Sequence, residues 1–306
     1  MSPAFLIGRL FRALLTLFGV VTITFILSRL SGDPVSLMLP ETATLADREV
    51  LRASLGLDQP LFSQYLSYLQ GLLTLDLGQS LAYMRPALDV IIERVPATLE
   101  LGLLALVLSV LLSIPLGILA ALRRNTATDR VIMGFSLLGQ SLPPFVIGIL
   151  FILLFSVNLQ MLPSFGRDSP ASLILPVATL TLYPLAFLIR LTRASVLDVI
   201  NQQYIRTAEA KGTSPRNVVM KHALRNALIP VITVAGMQLA GIISGSAIVE
   251  TVFAWPGIGW LAVQSIRSRD YPVIQGVVLI SSLAFSLVTL LVDITYTFID
   301  PRIRYS

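Results

Sequence analysis

Residues 97–122 read ATLELGLLALVLSVLLSIPLGILAAL, and no charged side chain occurs between Leu101 and Leu122. An α-helix needs about 20 apolar residues to cross ~30 Å of hydrocarbon. Isolated strands would leave their backbone groups unpaired in lipid, so we expect a membrane-spanning helix here. The stretch therefore places the chain among integral membrane proteins.

Five further apolar runs extend this prediction over the whole chain. Only 13% of the 306 residues are charged and 55% are hydrophobic, and mean hydropathy is +0.82, whereas soluble domains carry about 25% charged residues. The predicted fold class is an all-α membrane protein with about six transmembrane helices. The predicted spans are roughly 10–30, 97–122, 130–158, 171–190, 228–250 and 273–298.

Charge sets the predicted orientation. With six spans both termini lie on one side, and that side carries 14 of the 22 lysines and arginines. Positive loops stay in the cytoplasm, so both termini are predicted to be cytoplasmic and the protein to lie in the cytoplasmic (inner) membrane. The net charge of +5 then reflects topology in a lipid bilayer, and no nucleic-acid partner is expected.

This topology divides the chain. It predicts an N-terminal transmembrane helix at 1–30, an extracytoplasmic helical insertion at 31–96, a core transmembrane domain at 97–298 and a cytoplasmic tail at 299–306. Within the insertion, LFSQYLSYLQGLL has apolar residues at helical spacing, which favours a helix lying on the membrane or on the spans.

The longest polar, basic run is YIRTAEAKGTSPRNVVMKHALRNALIP, residues 204–230. We expect a first helix over about 197–211, with Gly212 as its left-handed stop. Ser214 then caps a second helix that has Pro215 at its first position. A positively charged cytoplasmic loop with no further role is the plain interpretation. The small residues around the turn favour a docking surface, because they permit close approach of another backbone.

RTAEAKG followed by HALRNALIP resembles the cytoplasmic coupling loop of permease subunits of ATP-binding-cassette (ABC) importers. The family's EAA-x-x-x-G motif falls on this run, with Gly212 as its glycine and Thr207 and Ala208 as its small pair. Arg206 replaces the glutamate of the general motif, as in the peptide and nickel branch. Segments typical of that branch are SGDP near Gly32, LGLDQPL, PATLELG, VETVFAWPGIGWLAVQSIRSRDYPVIQG from Val249, and the ending DPRIRYS.

The resemblance implies the ABC importer type I permease fold and an ATP-driven importer with several subunits. This chain would form the translocation pathway with a second homologous permease, and its coupling loop (197–228) would dock onto one of two cytoplasmic ATPase subunits. An extracytoplasmic substrate-binding protein would deliver the cargo. The implied coupling residues are Arg206, Thr207, Ala208, Glu209, Ala210, Lys211, Gly212, Thr213, Ser214 and Pro215.

The chain itself lacks the means to bind nucleotide. It has no G-x-x-x-x-G-K-[ST] phosphate loop, so ATP and Mg²⁺ are expected on the partner ATPases, with no cofactor and no catalytic role here. There is no cysteine, which excludes disulfides and thiol catalysis. The only histidine, His222, lies in the basic run, and no metal site is predicted.

Polar residues within the spans are candidates for the pathway, since they are costly in lipid. They are Gln140, Ser141, Gln238 and Asp293. Interhelical hydrogen bonding is the alternative for the glutamines, and a packing or gate contact is the alternative for Asp293. Gly241 and Gly245 form a G-x-x-x-G pattern that predicts a permease–permease contact.

An outer gate is predicted where proline and glycine interrupt the apolar segment FAWPGIGW, residues 253–260. The candidate gate residues are Glu250, Phe253, Trp255 and Pro256. The alternative is an aromatic anchor, with Trp255 and Trp260 at the headgroups and Glu250 in contact with water.

Peptides (di- to oligopeptides) are the predicted cargo, and nickel or a metal chelate is the alternative within the family. A secondary transporter is the alternative from another class. It would show inverted repeats and midplane carboxylates, and the sequence offers no repeat and only Asp293. A membrane serine enzyme would need a base near its nucleophile, and His222 lies in the cytoplasmic run.

Overall fold

The computed structural model describes residues 3–30, 35, 39, 42–54, 56–214 and 217–299, and within these it leaves out the side chains of 3–6, 240, 243–245, 293 and 295–299. The regular secondary structure of the described chain is helical, apart from one isolated bridge between Gln79 and Pro86. This confirms the predicted all-α class. The α-helices are α1 Pro3–Leu30, α2 Leu45–Ser54, α3 Leu61–Leu73, α4 Ala87–Ile92, α5 Val95–Leu122, α6 Ala127–Ser141, α7 Pro144–Phe151, α8 Ile174–Ile200, α9 Gln203–Ala210, α10 Leu224–Val252, α11 Ile258–Ser268 and α12 Tyr271–Ile299.

Five helical stretches of the described chain are long and apolar enough to cross a membrane. A sixth is present if the bent pair α6 and α7 counts as one span, in agreement with the prediction of about six. A π-helical turn, Ile152–Asn158, prolongs α7, and a second, Val218–Ala223, leads into α10.

Helix α8 lies at the centre of the molecule. In its apolar stretch 67% of the residues are buried, against 33% or less in the other four single spans. Small residues let its neighbours approach closely. A methyl group on Gly117 of α5 would lie 2.5 Å from Cβ of Thr192, and one on Gly139 of α6 would lie 3.3 Å from Cβ of Ala186.

The third predicted span is not straight. Helices α6 and α7 meet at an angle of 103°, and Leu142 between them is extended, with φ −95° and ψ 130°. The residue before a proline avoids the helical region, and proline donates no backbone hydrogen bond. Pro143 and Pro144 therefore produce a sharp corner within the predicted span.

The prediction of a single helix over 197–211 is wrong, because this range contains the end of α8 and the separate helix α9. Helix α8 continues to Ile200, well past the predicted end of the fourth span at 190, and α9 starts at Gln203. Gln202 between them is extended, with ψ 150°, and the side-chain amide of Asn201 donates to the carbonyl of Leu197 at 2.8 Å. Asn201 and Gln202 thus lie at the end of α8 and the start of the separate helix α9.

Helix α3 of the insertion lies on α1. The hydroxyls of Thr22 and Tyr65 are 2.6 Å apart, and the rings of Phe25 and Tyr68 stack with centroids 5.6 Å apart. Of the two predicted positions, on the membrane or on the spans, these contacts place α3 on a span.

Candidate functional site: coupling surface and outer gate

Helix α9, which carries the predicted coupling residues, ends in a Schellman turn at Gly212. The N–H of Gly212 donates to the carbonyl of Glu209 at 2.9 Å, and the N–H of Thr213 donates to that of Ala208 at 3.2 Å. Gly212 has φ +81°, the left-handed value that glycine adopts without strain. The conformation predicted for Gly212 is therefore present.

A buried anchor holds α9 against the transmembrane core. Ile205 is 1% exposed and packs with Val218 and Ala223 of the π-helical turn before α10. The side-chain amide of Asn226 donates to the hydroxyl of Tyr204 at 2.8 Å. Sequence reasoning missed Ile205, although an isolated isoleucine within a polar run is a visible signal of a buried contact.

The opposite side of α9 and its turn is open to solvent. Ala208 and Thr213 are half-buried, and the second of them lies in the turn itself. Pro215 lies outside the described residues. The exposed members of the predicted coupling set are Arg206, Thr207, Glu209, Ala210, Lys211, Gly212 and Ser214. The structure thus presents a short, firmly anchored helix whose free face is small and polar.

At the other end of the spans, Glu250 is fully buried, at 0% exposure. Its Oε1 accepts hydrogen bonds from the hydroxyls of Thr98 and Ser246, both at 2.8 Å, and its Oε2 accepts from the N–H of Trp260 at 2.9 Å. The interpretation of Glu250 as a water-contacting residue is wrong, because three donors from α5, α10 and α11 enclose its carboxyl group.

Thr98 and Glu250 together cap the first turn of α11. The Thr98 hydroxyl also accepts the N–H of Ile258 at 2.8 Å, so two of the free N–H groups of this helix end are satisfied from other helices. Gly257 sits against the same cluster, and a methyl group there would lie 2.5 Å from the Glu250 carboxyl and from the Thr98 hydroxyl oxygen. The predicted gate segment is therefore tightly fixed where it enters α11.

Trp255 is buried at 0% exposure, so its interpretation as a headgroup anchor is wrong. Its indole N–H donates to the carbonyl of Ala97 at 2.9 Å. The guanidinium of Arg167 lies 5.5 Å from its ring centroid, and the same group forms an ion pair with Glu100 at 2.7 Å. Because the indole N–H has a hydrogen-bond acceptor inside the protein, Trp255 does not need to lie at the membrane–water interface.

The other gate residues surround this tryptophan. Phe253 is 1% exposed and belongs to the core cluster formed by α5, α8 and α10, and its carbonyl accepts the N–H of Gly166 at 3.0 Å. Pro256 is half-buried. Trp260 is half-buried beneath the guanidinium of Arg94, 5.6 Å from its ring centroid.

Among the described residues, no hydrogen bond joins the candidate pathway residues to one another. The side-chain oxygen of Gln140 accepts a hydrogen bond from Arg190 of α8. The hydroxyl of exposed Ser141 donates to the carbonyl of Leu137 at 2.8 Å, and Gln238 is half-buried in α10. The side chain of Asp293 lies outside the described part of the chain.

One buried ion pair was not anticipated. Arg193 of α8 donates to both carboxylate oxygens of Asp129 in α6, at 2.7 and 2.8 Å, and the Asp129 side chain is 6% exposed. Arg193 follows Arg190 by one helical turn, so α8 holds α6 at two points. The sequence carried no signal that would pair two residues 64 positions apart.

The predicted permease–permease contact lies on α10. Gly241 is exposed, and a methyl group added there would meet no atom within 4 Å. The surroundings of Gly245 lie outside the description. In the described part of the chain, no group of three or more histidines, aspartates or glutamates is placed to hold a metal ion.

Comparison with known families gives two adjoining matches. The family described as binding-protein-dependent transport system inner membrane component matches residues 113–305. The N-terminal family of the same membrane components matches residues 3–102.

Curated relatives match along almost the full length. The glutathione transport system permease protein GsiC of Escherichia coli (strain K12) is 44% identical over 302 residues, covering 98% of this chain and 99% of that protein. The dipeptide transport system permease protein DppB of Bacillus subtilis (strain 168) is 41% identical over 303 residues, covering 98% and 97%.

Among solved structures, an inward-facing form of the MetNI methionine ABC transporter matches with a TM-score of 0.60. The two are 20% identical, and the match covers 69% of this chain and 96% of that chain. An amino acid ABC transporter with histidines matches with a TM-score of 0.51 at 18% identity, and the match covers 70% of this chain and 94% of that chain. These likenesses concern the fold.

Proposed function

Because this chain belongs to the family of binding-protein-dependent transport system inner membrane components, we propose that it is the permease through which an ATP-driven importer moves small peptides into the cell. The observation that carries this proposal is the match along 98% of the chain to permeases named for glutathione and for dipeptides. Glutathione is itself a tripeptide, so the two names share one cargo class.

The uptake experiment uses a strain lacking only this chain. It is supplied in turn with labelled dipeptide, labelled glutathione and labelled nickel. We expect peptide uptake to fall and to return when the chain is supplied in trans. Loss of nickel uptake alone would replace peptides by the metal, and unchanged uptake of all three would reject both cargo classes.

In the proposed mechanism a conformational change of a cytoplasmic ATPase displaces α9. Its exposed face carries Arg206, Glu209 and Lys211, and Ala210 among them permits close approach of another backbone. Ile205 transmits displacement to the start of α10, because it is buried against that segment. Nucleotide, Mg²⁺ and hydrolysis belong to the partner subunits.

A second, homologous permease completes the proposed pathway, and a binding protein loads it from outside. Gly241 is open enough for another helix to approach. Gln140, Ser141 and Gln238 are proposed to contact the peptide as it passes, with Arg190 as the partner that Gln140 would exchange for cargo. Asp293 remains proposed on its position in the sequence alone.

The coupling role predicts a graded response at Gly212. Gly212→Ala places a side chain at φ +81°, which costs about 1–2 kcal/mol, although no atom lies within 4 Å to obstruct it. We expect association of the ATPase subunits to weaken about 5- to 30-fold, as measured by co-purification and by ATP-dependent uptake in vesicles.

Gly212→Asn is the matched control, because asparagine adopts the left-handed conformation more readily. It should retain most of the association. If Gly212→Ala assembled and transported as well as the unaltered chain, the turn would have no part in docking.

A further inference from the structure

A groove outside the proposed pathway runs between α1 and the corner where α11 meets α12. It has a volume of about 500 Å³. Its mouth is apolar and open, with Ile23 58% exposed, Leu27 55% exposed and Ile266 61% exposed. One end is polar and is formed by Ser28, Arg269 and Tyr271.

The polar end contains a buried hydrogen-bond donor without a partner. Tyr271 is 9% exposed, and its hydroxyl is enclosed with no hydrogen-bonding partner among the described residues. The neighbouring Ser28 hydroxyl is already engaged, since it donates to the carbonyl of Phe25 at 2.7 Å and accepts from Gln275 at 2.7 Å.

Arg269 lines the same groove and adds a positive charge to it. Its side chain is exposed and forms no ion pair with any described carboxylate. Asp270 carries a negative charge next to it in sequence, but Asp270 is fully buried, does not line the groove, and its Oδ2 accepts from Ser80 at 2.5 Å and from the N–H of Ala82 at 3.1 Å. Exposed Arg267 raises the positive charge of the same corner.

The groove has the length of one lipid leaflet. Its α1 wall runs from 20 to 28, which is ~12 Å at 1.5 Å per residue. Half of a ~30 Å hydrocarbon layer is ~15 Å. The polar end lies at the start of the last span, on the side that the predicted topology makes extracytoplasmic.

We propose that this groove binds an anionic phospholipid of the outer leaflet. One acyl chain lies along Ile23, Leu27 and Ile266, and the phosphate accepts hydrogen bonds from the exposed Arg269 guanidinium. A phosphate offers only acceptors to this donor, and guanidinium–phosphate pairs are among the stronger hydrogen bonds in proteins. The lipid would fill the space between α1 and α12 and so fix the N-terminal helix to the core.

The test uses the assembled transporter in phosphatidylcholine vesicles with and without phosphatidylglycerol. Ile23→Cys provides the only thiol in this chain, and it is labelled with a fluorophore that brominated phosphatidylglycerol quenches. We expect quenching to need about tenfold more phosphatidylglycerol after Arg269→Gln, and no shift after Tyr271→Phe, because the hydroxyl of Tyr271 is enclosed in the protein. Arg267→Gln is the matched control, because Arg267 is exposed on the same corner but does not line the groove.

Three results would overturn the proposal. One is equal quenching by brominated phosphatidylcholine and phosphatidylglycerol in all variants, which would mean ordinary lipid contact. Another is equal loss of quenching in Arg267→Gln and Arg269→Gln. The third is efficient cross-linking of Ile23→Cys to the second permease, which would make the groove a subunit interface. The fluorescence of the two tryptophans checks that each variant is folded.

Discussion

At the scale of single residues, the carboxyl group of Glu250 determines how the predicted gate segment is held. It is enclosed by donors from three helices, and Thr98 continues the network to the first N–H of α11. A buried donor that loses its acceptor costs about 1–3 kcal/mol. The gate segment is therefore held by polar contacts and does not rest on apolar packing alone.

Glu250→Ala should destabilise this network by at least about 2 kcal/mol, because the Thr98 hydroxyl and the Trp260 N–H lose the carboxyl group that accepts their hydrogen bonds. Thermal unfolding in detergent measures the effect. Both tryptophans of the chain, Trp255 and Trp260, lie in the gate segment, so intrinsic fluorescence reports on this region directly.

Glu100→Ala is the control for that substitution. Glu100 also lies on α5, but its side chain is 32% exposed in its pair with Arg167, and exposed ion pairs contribute about 0–1 kcal/mol. Equal unfolding temperatures for the two variants would show that the buried network contributes no more than a surface contact.

Residues differ in how far the sequence reveals them. Gly212 could be predicted because the signal is local: a glycine after a short helix adopts the left-handed turn whatever surrounds it. The burial of Glu250 could not, since its partner Thr98 lies 152 positions away and a glutamate at the end of a span ordinarily reaches water. The burial of Trp255 could not be predicted for the same reason, because its indole N–H donates to the backbone carbonyl of the distant Ala97.

At the scale of elements, the contact of α3 with α1 gives Tyr68 an unusual environment. Burial raises the pKa of Tyr68 to about 12, with a smaller contribution from the neighbouring Tyr65. The neutral phenol is thus favoured in the folded state. The stability it contributes is complete below its unfolded pKa near 10 and is lost as the pH rises toward 12.

A difference titration should detect this phenol. The absorbance change of the folded protein minus that of Tyr68→Phe should correspond to one phenol with a midpoint near pH 12. In a denaturing detergent the same difference should move to about pH 10. A midpoint near 10 in the folded protein would show that α3 is detached from α1.

Helices could be predicted where a segment is uniformly apolar along its length. The apolar run 97–122 corresponds to α5 with a difference of two residues at its start. The corner between α6 and α7 was not predicted, although Pro143 and Pro144 lie within the predicted span 130–158. A proline pair allows either a kink or a sharp turn, and the choice depends on the hold that Arg190 and Arg193 of α8 have on α6.

At the scale of the whole molecule, the proposed importer requires α9 and the insertion to face opposite sides of the membrane. The distribution of lysines and arginines predicted the orientation in the membrane. Contacts within the described part of the chain do not test this orientation. The absence of cysteine makes a direct measurement simple, because each introduced thiol is unique.

Lys211→Cys and Glu49→Cys test the orientation, since both positions are exposed. The first sample is cells whose outer envelope is permeabilised and whose cytoplasmic membrane is intact. In these cells a membrane-impermeant maleimide should label Glu49→Cys and should leave Lys211→Cys unlabelled. In inverted membrane vesicles the pattern should reverse. Labelling of Lys211→Cys from outside the cell would rule out docking of a cytoplasmic ATPase on α9.

The corner between α6 and α7 also bears on biogenesis. Each arm of the pair, α6 and α7 with its π-helical extension, is 15 residues long, or ~22 Å, and is too short to cross the hydrocarbon by itself. A nascent chain therefore gains little by releasing either arm into lipid as it leaves the ribosome. We expect both to wait beside the insertion machinery until α8 emerges with the arginines that hold α6, so that three segments enter the bilayer as one unit.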